Sequence, residues 1–171
     1  MKIFILTLLF FLIGCRKESN GWEMYRIYQG QHKCNGWRCE IVGPKMEQWW
    51  KFDPDCFYEP DIENDINKLT GLGALDNQNN SIRIDWRCVN NKFQLLGYVH
   101  NNDTEITIMD SVNPNESFYI RVEYINGGAE IQVKNKILIV NDIKKPTTIF
   151  RQNPYFGGQS TAPHDMTLYM R

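Results

Sequence analysis

Apolar residues recur at every second position along much of the chain after about Trp22, which is the period of a half-buried β-strand. In Ser81 to Cys88, Ile82, Ile84 and Trp86 alternate with Arg83, Asp85 and Arg87. In Lys92 to His100, Phe93, Leu95, Gly97 and Val99 alternate with Gln94, Leu96, Tyr98 and His100. The link Val89-Asn90-Asn91 suits a hairpin, because asparagine tolerates the left-handed backbone of tight turns. Further strands are predicted at Glu105 to Asp110, Ser117 to Ile125, Glu130 to Val133, Lys136 to Val140 and Asp165 to Met170, with a tight reversal at Asn126-Gly127-Gly128. Short strands at this spacing predict an all-β chain, two packed antiparallel sheets or a barrel. One stretch departs from the period: Ile62, Ile66 and Leu69 fall at i, i+4 and i+7 after Pro60-Asp61, which predicts a short satellite helix ended by Gly71 and Gly73. The acidic residues Glu59, Asp61, Glu63 and Asp65 then read as its solvated start.

The beginning of the chain has a different pattern. Lys2 precedes an apolar run from Ile3 to Ile13 broken only by Thr7, followed by Gly14 and Cys15. A spanning helix needs about 20 apolar residues, so this run is a secretory signal rather than an anchor. Leu12-Ile13-Gly14-Cys15 resembles the bacterial lipobox. That resemblance implies cleavage before Cys15, acylation of its thiol, and attachment to the membrane through lipid, since each buried methylene contributes about 0.8 kcal/mol. It divides the chain into a signal peptide (1–14), a lipidated polar tether (15–21) and a sandwich domain (22–171). Arg16 stands where inner-membrane lipoproteins of some Gram-negative bacteria carry aspartate, which implies the outer membrane. Lys17-Glu18 resembles the charged export signals of Bacteroidota lipoproteins.

A formal net charge of −1 leaves no basic footprint for nucleic acid. Besides Cys15 the chain has Cys34, Cys39, Cys56 and Cys88, and an even number in an exported domain permits disulfides. Cys34 with Cys39 and Cys56 with Cys88 is the favoured pairing; buried thiols acting as small hydrophobes are the other reading. The spacing does not suit zinc. Asp76-Asn77-Gln78-Asn79-Asn80 offers hard oxygens but not the spacing of a calcium loop, and a hairpin turn is the better explanation. No bound metal and no cofactor are predicted.

The succession of long alternating strands with a last strand returning to the sheet resembles the concanavalin A-like lectin/glucanase jelly roll. So does the tail from Asn153 to Met166, with Tyr155-Phe156-Gly157-Gly158 and Pro163-His164-Asp165, which looks like the closing segment of exported Bacteroidota members. The resemblance implies a two-sheet antiparallel sandwich whose concave sheet carries a sugar groove. Arg83, Asp85, Arg87, Gln94, Tyr98, His100, Tyr119, Arg121 and Glu123 are its candidate lining, on strands expected to adjoin; an ordinary solvated face is the competing reading.

Three chemistries can be weighed against these residues. A glycosidase needs paired carboxylates, and the Glu-x-Asp-x-x-Glu-like run of glucanases of this fold is missing. A lyase acting on a uronate-containing polysaccharide needs a cation or amide at the carboxylate and a Tyr, His or Lys to take the adjacent proton. Arg83, Arg87, Gln94, Tyr98 and His100 supply those types. The Arg-Glu-Leu-Arg, Gln-Ile-His and Tyr-Phe-Lys-Ala-Gly runs of alginate lyases of this fold are absent, and Tyr155-Phe156-Gly157-Gly158 echoes only the last, without its lysine. A polysaccharide-binding module needs less: aromatic faces such as Trp37, Trp49, Trp50, Tyr58 and Tyr98, and glycan contacts from Arg83, Arg87, Gln94, Tyr98, His100, Tyr119 and Arg121. Binding is the favoured reading, ahead of a lyase or a structural, protein-interaction role. His32 and His164 lack assembled partners in the sequence and are expected to bond backbone. Trp49 and Trp50 are neighbours on a strand, so they cannot both enter one core.

Overall fold

The computed structural model describes residues 20–59, 66–75, 80–158 and 160–171. The signal peptide and Cys15, positions 60–65 with Ile62, and positions 76–79 lie outside them.

Among the described residues twelve strands form two antiparallel sheets. They are β1 (Glu23–Ile27), β2 (Glu40–Ile41), β3 (Lys45–Phe52), β4 (Asn67–Gly73), β5 (Ser81–Val89) and β6 (Lys92–Asn101), followed by β7 (Asp103–Val112), β8 (Phe118–Ile125), β9 (Gly128–Val133), β10 (Lys136–Asn141), β11 (Phe150–Gln152) and β12 (Met166–Met170). The first sheet has the order β1-β12-β3-β8-β9-β10 and the second β2-β11-β4-β5-β6-β7. The chain changes sheet at β1–β2, β2–β3, β3–β4, β7–β8, β10–β11 and β11–β12, and the two packed antiparallel sheets make a jelly-roll sandwich. The turns work as the sequence predicts: Asn90 and Asn91 take φ of 50° and 58° in the β5–β6 hairpin, and Gly127 takes 77° between β8 and β9.

Alternation decides what lies between the sheets. Phe52 of β3 has its ring centroid 4.9 Å from that of Trp86, 4.5 Å from Phe93 and 5.6 Å from Phe118, so one aromatic from the first sheet gathers two from the second. Trp50 points into this core and donates its indole N–H to Gln48 Oε1 at 3.0 Å, while Trp49 points outward and is 42% exposed.

Ile62 and the positions up to 65 of the predicted helix lie outside the described residues, and its remaining part is corrected. Leu69, Gly71 and Gly73 belong to β4, and the one helical element among the described residues is a 3-10 turn at Pro54–Cys56. A bulge between Lys68 and Thr70 breaks the two-residue period and turns Leu69 and Thr70 inward together. Pairing with β5 on one side and β11 on the other then completes the ladder.

The predicted disulfides are also corrected: no bridge joins Cys34, Cys39, Cys56 or Cys88. Cys34 is buried and Cys39 exposed, so that short pair does not share an environment. The Cys88 thiol donates to the Cys56 carbonyl at 3.6 Å, while Cys56 Sγ turns away to the Thr167 carbonyl at 3.0 Å. Buried thiols thus fill the interior as small hydrophobes.

Candidate functional site

The outer face of the second sheet follows from the same alternation. With Ile82, Ile84, Trp86 and Cys88 of β5 in the core, Arg83, Asp85 and Arg87 face outward. Their register partners on β6 are Tyr98, Leu96 and Gln94, with His100 opposite Ser81. Arg83, Arg87, Gln94, Tyr98 and His100 therefore share one face, as the sequence implies. The Arg83 guanidinium lies 3.9 Å from the Tyr98 ring centroid, and Arg87 Nε donates to Gln94 Oε1 at 2.8 Å. Their accessibility differs: Arg83 and Asp85 are buried, whereas Arg87, Gln94, Tyr98 and His100 are half-buried.

Below this layer sits a small charge cluster. Arg83 Nε stands 3.6 Å from Asp85 Oδ1, and Lys68 of β4 is the register partner of Asp85. Burial raises the Asp85 pKa to about 6 against the opposing pull of Arg83 and Lys68. Burial and the neighbouring Arg83 charge lower the Lys68 pKa, and Asp85 offsets part of that. A lysine held in this way gives up its proton more readily than a solvated one.

Lys68 extends the face toward residues from the other end of the chain. Tyr155 bridges β4 at Lys68 through paired backbone bonds of 2.8 and 3.0 Å, and Lys68 Nζ lies 5.0 Å from the Tyr155 ring centroid. His32 stacks on the same ring at 5.1 Å and Trp37 meets it edge-on at 5.9 Å, with Lys33 Nζ 5.3 Å from the Trp37 ring. The tail is pinned from the core side: buried Asn67 accepts from Gly157 N at 2.6 Å and donates to the Tyr58 hydroxyl at 2.6 Å. His32 Nδ1 bonds the Phe156 carbonyl at 2.8 Å. The backbone role expected of His32 is thus present, alongside a ring stack that its sequence context does not reveal. Lys68 and Tyr155 were not among the candidates for this face; the one signal for Tyr155 was the tail motif that carries it.

Tyr119 and Arg121 do not join this face. They stand on β8, in the opposite sheet, where Arg121 pairs with Glu123, with Glu130 at 3.2 Å and with Glu47 at 4.0 Å. Trp49 packs beside Tyr119 with centroids 5.6 Å apart. The expectation that β5, β6 and β8 adjoin fails because the chain changes sheets between β7 and β8.

A separate cavity of about 260 Å³ is lined by Tyr58, Glu59, Phe156, Ser160, Thr161, Pro163 and His164. His164 Nε2 bonds the Asp55 carbonyl at 2.7 Å, the backbone role expected of it near the entrance to β12. Among the described residues no group of three or more His, Cys, Asp or Glu is placed to hold a metal ion.

No family model matches the chain, and no curated protein matches it in sequence. Solved structures do resemble it. Alginate lyase A1-II', a member of polysaccharide lyase family 7, superposes with a TM-score of 0.57 at 8% identity over 90% of this chain and 78% of that one. An alginate lyase from Alteromonas sp. 272 gives 0.54 at 12% identity over 87% and 84%. A glycosyl hydrolase family protein from Mycobacterium fortuitum gives 0.53 at 17% identity over 89% and 74%. At these identities the likeness is one of architecture, and the architecture is the jelly-roll sandwich of those proteins.

Proposed function

We propose that the outer face of the second sheet binds an acidic polysaccharide, and that Cys15 anchors the protein by lipid to the outer membrane of a bacterial envelope. The observation that carries the binding reading is the Tyr155 cluster. An aromatic ring flanked by His32, Trp37 and Lys68 provides apolar faces for pyranose rings next to cations for uronate carboxylates. Tyr98, Gln94 and Arg87 continue the surface across β5 and β6. The jelly-roll neighbours include proteins named as alginate lyases, which makes a uronate polymer the first ligand to try.

A lyase needs a cation that reaches the substrate carboxylate. Arg83 is buried over Tyr98, and the Arg87 side chain is bonded to Gln94, so two cations nominated for that task are engaged within their own sheet. Binding without cleavage is accordingly the stronger reading.

The deciding experiment is glycan-array binding with the native chain, followed by ultraviolet monitoring of any bound uronate polymer. Binding without new absorbance from unsaturated ends supports capture, and binding with it makes the protein a lyase. No binding to any glycan removes the proposal. The anchor is tested by Cys15→Ser, which should release the protein from the membrane fraction; continued membrane retention rules lipidation out.

A further inference from the structure

Strands β7 and β10 close the same side of the sandwich, and among the described residues each has a sheet neighbour on one side only. A free strand edge presents unpaired N–H and C=O groups to any strand that can align with it, and proteins usually blunt such edges with lysine, proline or a covering segment. In β7 the residues Asp103, Thr104, Glu105, Ile106, Thr107 and Ile108 are all exposed; Asp103 and Glu105 are the charges there, the bulge comes only at Met109, and the stretch has no lysine or proline. Ile106 and Ile108 are 47% and 59% exposed, and on β10 Ile137 and Ile139 are 57% and 51% exposed.

These two pairs match in height and face. Ile106 and Ile108 lie opposite Tyr98 and Leu96, on the outer face of the second sheet. Ile137 and Ile139 lie opposite Gln132 and Glu130, on the outer face of the first. Leu138, between them, packs through the interior onto Gly97, where a Cβ would meet its Cδ2 at 3.0 Å. Gly97 is the register partner of Thr107, so both Ile-x-Ile pairs are centred at one level. The strands also run oppositely: β7 ends where the chain crosses to β8, and β8, β9 and β10 alternate in direction.

We propose that two copies of this chain associate about a two-fold axis parallel to the strands, with β7 of each pairing antiparallel to β10 of the other. That operation exchanges the two sheets and keeps the level along the strands. It brings Ile106 and Ile108 beside Ile137 and Ile139 of the second copy on one continuous surface. Charge selects this arrangement over pairing of like edges. β7 carries Asp103, Glu105 and Asp110, the last 3.9 Å from Lys134 of its own chain, whereas Lys136 opens β10 and Asp142, Lys144 and Lys145 follow it. A β7–β7 contact sets Asp103 of one copy near Asp110 of the other, while the crossed contact sets Asp110 near Lys136 and Asp103 level with Asp142, with Lys144 and Lys145 just beyond.

The test uses the full chain in detergent, by light scattering after size exclusion. The native chain should have a dimer's mass, and Ile106→Lys with Ile139→Lys should weaken association at least about tenfold; both residues are exposed, so folding is not at stake. Orientation is read by oxidative cross-linking in a Cys15→Ser, Cys39→Ser background. A mixture of an Ile108→Cys chain and an Ile137→Cys chain should cross-link, and neither chain alone should do so. A monomeric native chain, an unaffected lysine variant, or cross-linking within either cysteine variant alone overturns the proposal.

Discussion

Gly71 lies against Arg83 so closely that a Cβ built on the glycine would stand 2.7 Å from both Cα and Cγ of the arginine and 2.4 Å from the Ile82 carbonyl oxygen. The Arg83 stem occupies the space a side chain would need, and this is how a long cation lies flat on the sheet over Tyr98. Because two of the three contacts are backbone, Gly71→Ala cannot be absorbed by a rotamer change. It should destabilise the fold by about 1–3 kcal/mol, which in a chain of this size lowers Tm by about 2–4 °C per kcal/mol. A thermal midpoint equal to that of the native chain contradicts this close approach.

Asp85 gives the stability a definite pH dependence. Its pKa rises from 3.8 to about 6 on folding, so between these values the folded chain keeps a proton that the unfolded chain has lost. The resulting stabilisation is complete below the lower value and disappears as pH rises through the upper one, a total of roughly 3 kcal/mol. Denaturant titrations between about pH 4 and pH 6 should show stability falling with this slope. Asp85→Asn, neutral throughout, should remove that component of the slope. An unchanged slope in the variant places the titration elsewhere.

Trp49 and Trp50 separate the two faces of the first sheet within one peptide unit. Trp50→Ala empties a core position next to Tyr25, whose ring centroid is 5.7 Å away, and strands the Gln48 carbonyl that accepts its indole N–H. It should cost about 3–5 kcal/mol. Trp49→Ala removes a half-exposed ring on the outer face of the first sheet and should change stability by less than about 1 kcal/mol. Equal losses for the two variants contradict the alternation of β3.

The strands with clear alternation and local turns, β5, β6, β8 and β9, are legible in the sequence because each is joined to a neighbour by a short connection and one face of each is apolar. β4 is not legible, because its bulge at Lys68 to Thr70 breaks the two-residue period that marks the other strands. Which strands share a sheet is not legible either, since nothing in Val112 to Phe118 records the change of layer that removes Tyr119 and Arg121 from the candidate face. The Lys68–Tyr155 contact joins positions far apart in the chain through an isolated bridge. Periodicity cannot foresee such a contact, and only the tail motif pointed toward it.

The thiols differ in reactivity in a way that follows from their surroundings. Burial raises the Cys88 pKa to about 11, and burial together with the adjacent Asp55 raises that of Cys56 well above the ordinary thiol value. Cys39 is exposed. In a Cys15→Ser chain, a maleimide or iodoacetamide reagent should label Cys39 rapidly under native conditions and reach Cys56 and Cys88 only on unfolding, without added reductant. Failure of Cys56 and Cys88 to alkylate in denaturant until reductant is added means that a disulfide is present.

Lys68 links the proposed ligand to a measurable charge. Lys68→Met keeps the aliphatic stem against Tyr155 and deletes the ammonium, so it should weaken binding of a uronate polymer about tenfold, in the range of one charge-assisted hydrogen bond. A neutral polymer of the same linkage should lose little. The salt dependence of uronate binding should fall as well, because one screened attraction is gone. Burial and the Arg83 charge lower the Lys68 pKa, so uronate binding by the native chain should weaken with rising pH before an ordinary lysine discharges, and this pH response should vanish in Lys68→Met. Tyr155→Ala removes the stacking face and should reduce affinity for charged and neutral polymers alike. If Lys68→Met binds uronate polymer as tightly as the native chain does, the ligand sits elsewhere on the sandwich, whatever Tyr155→Ala shows.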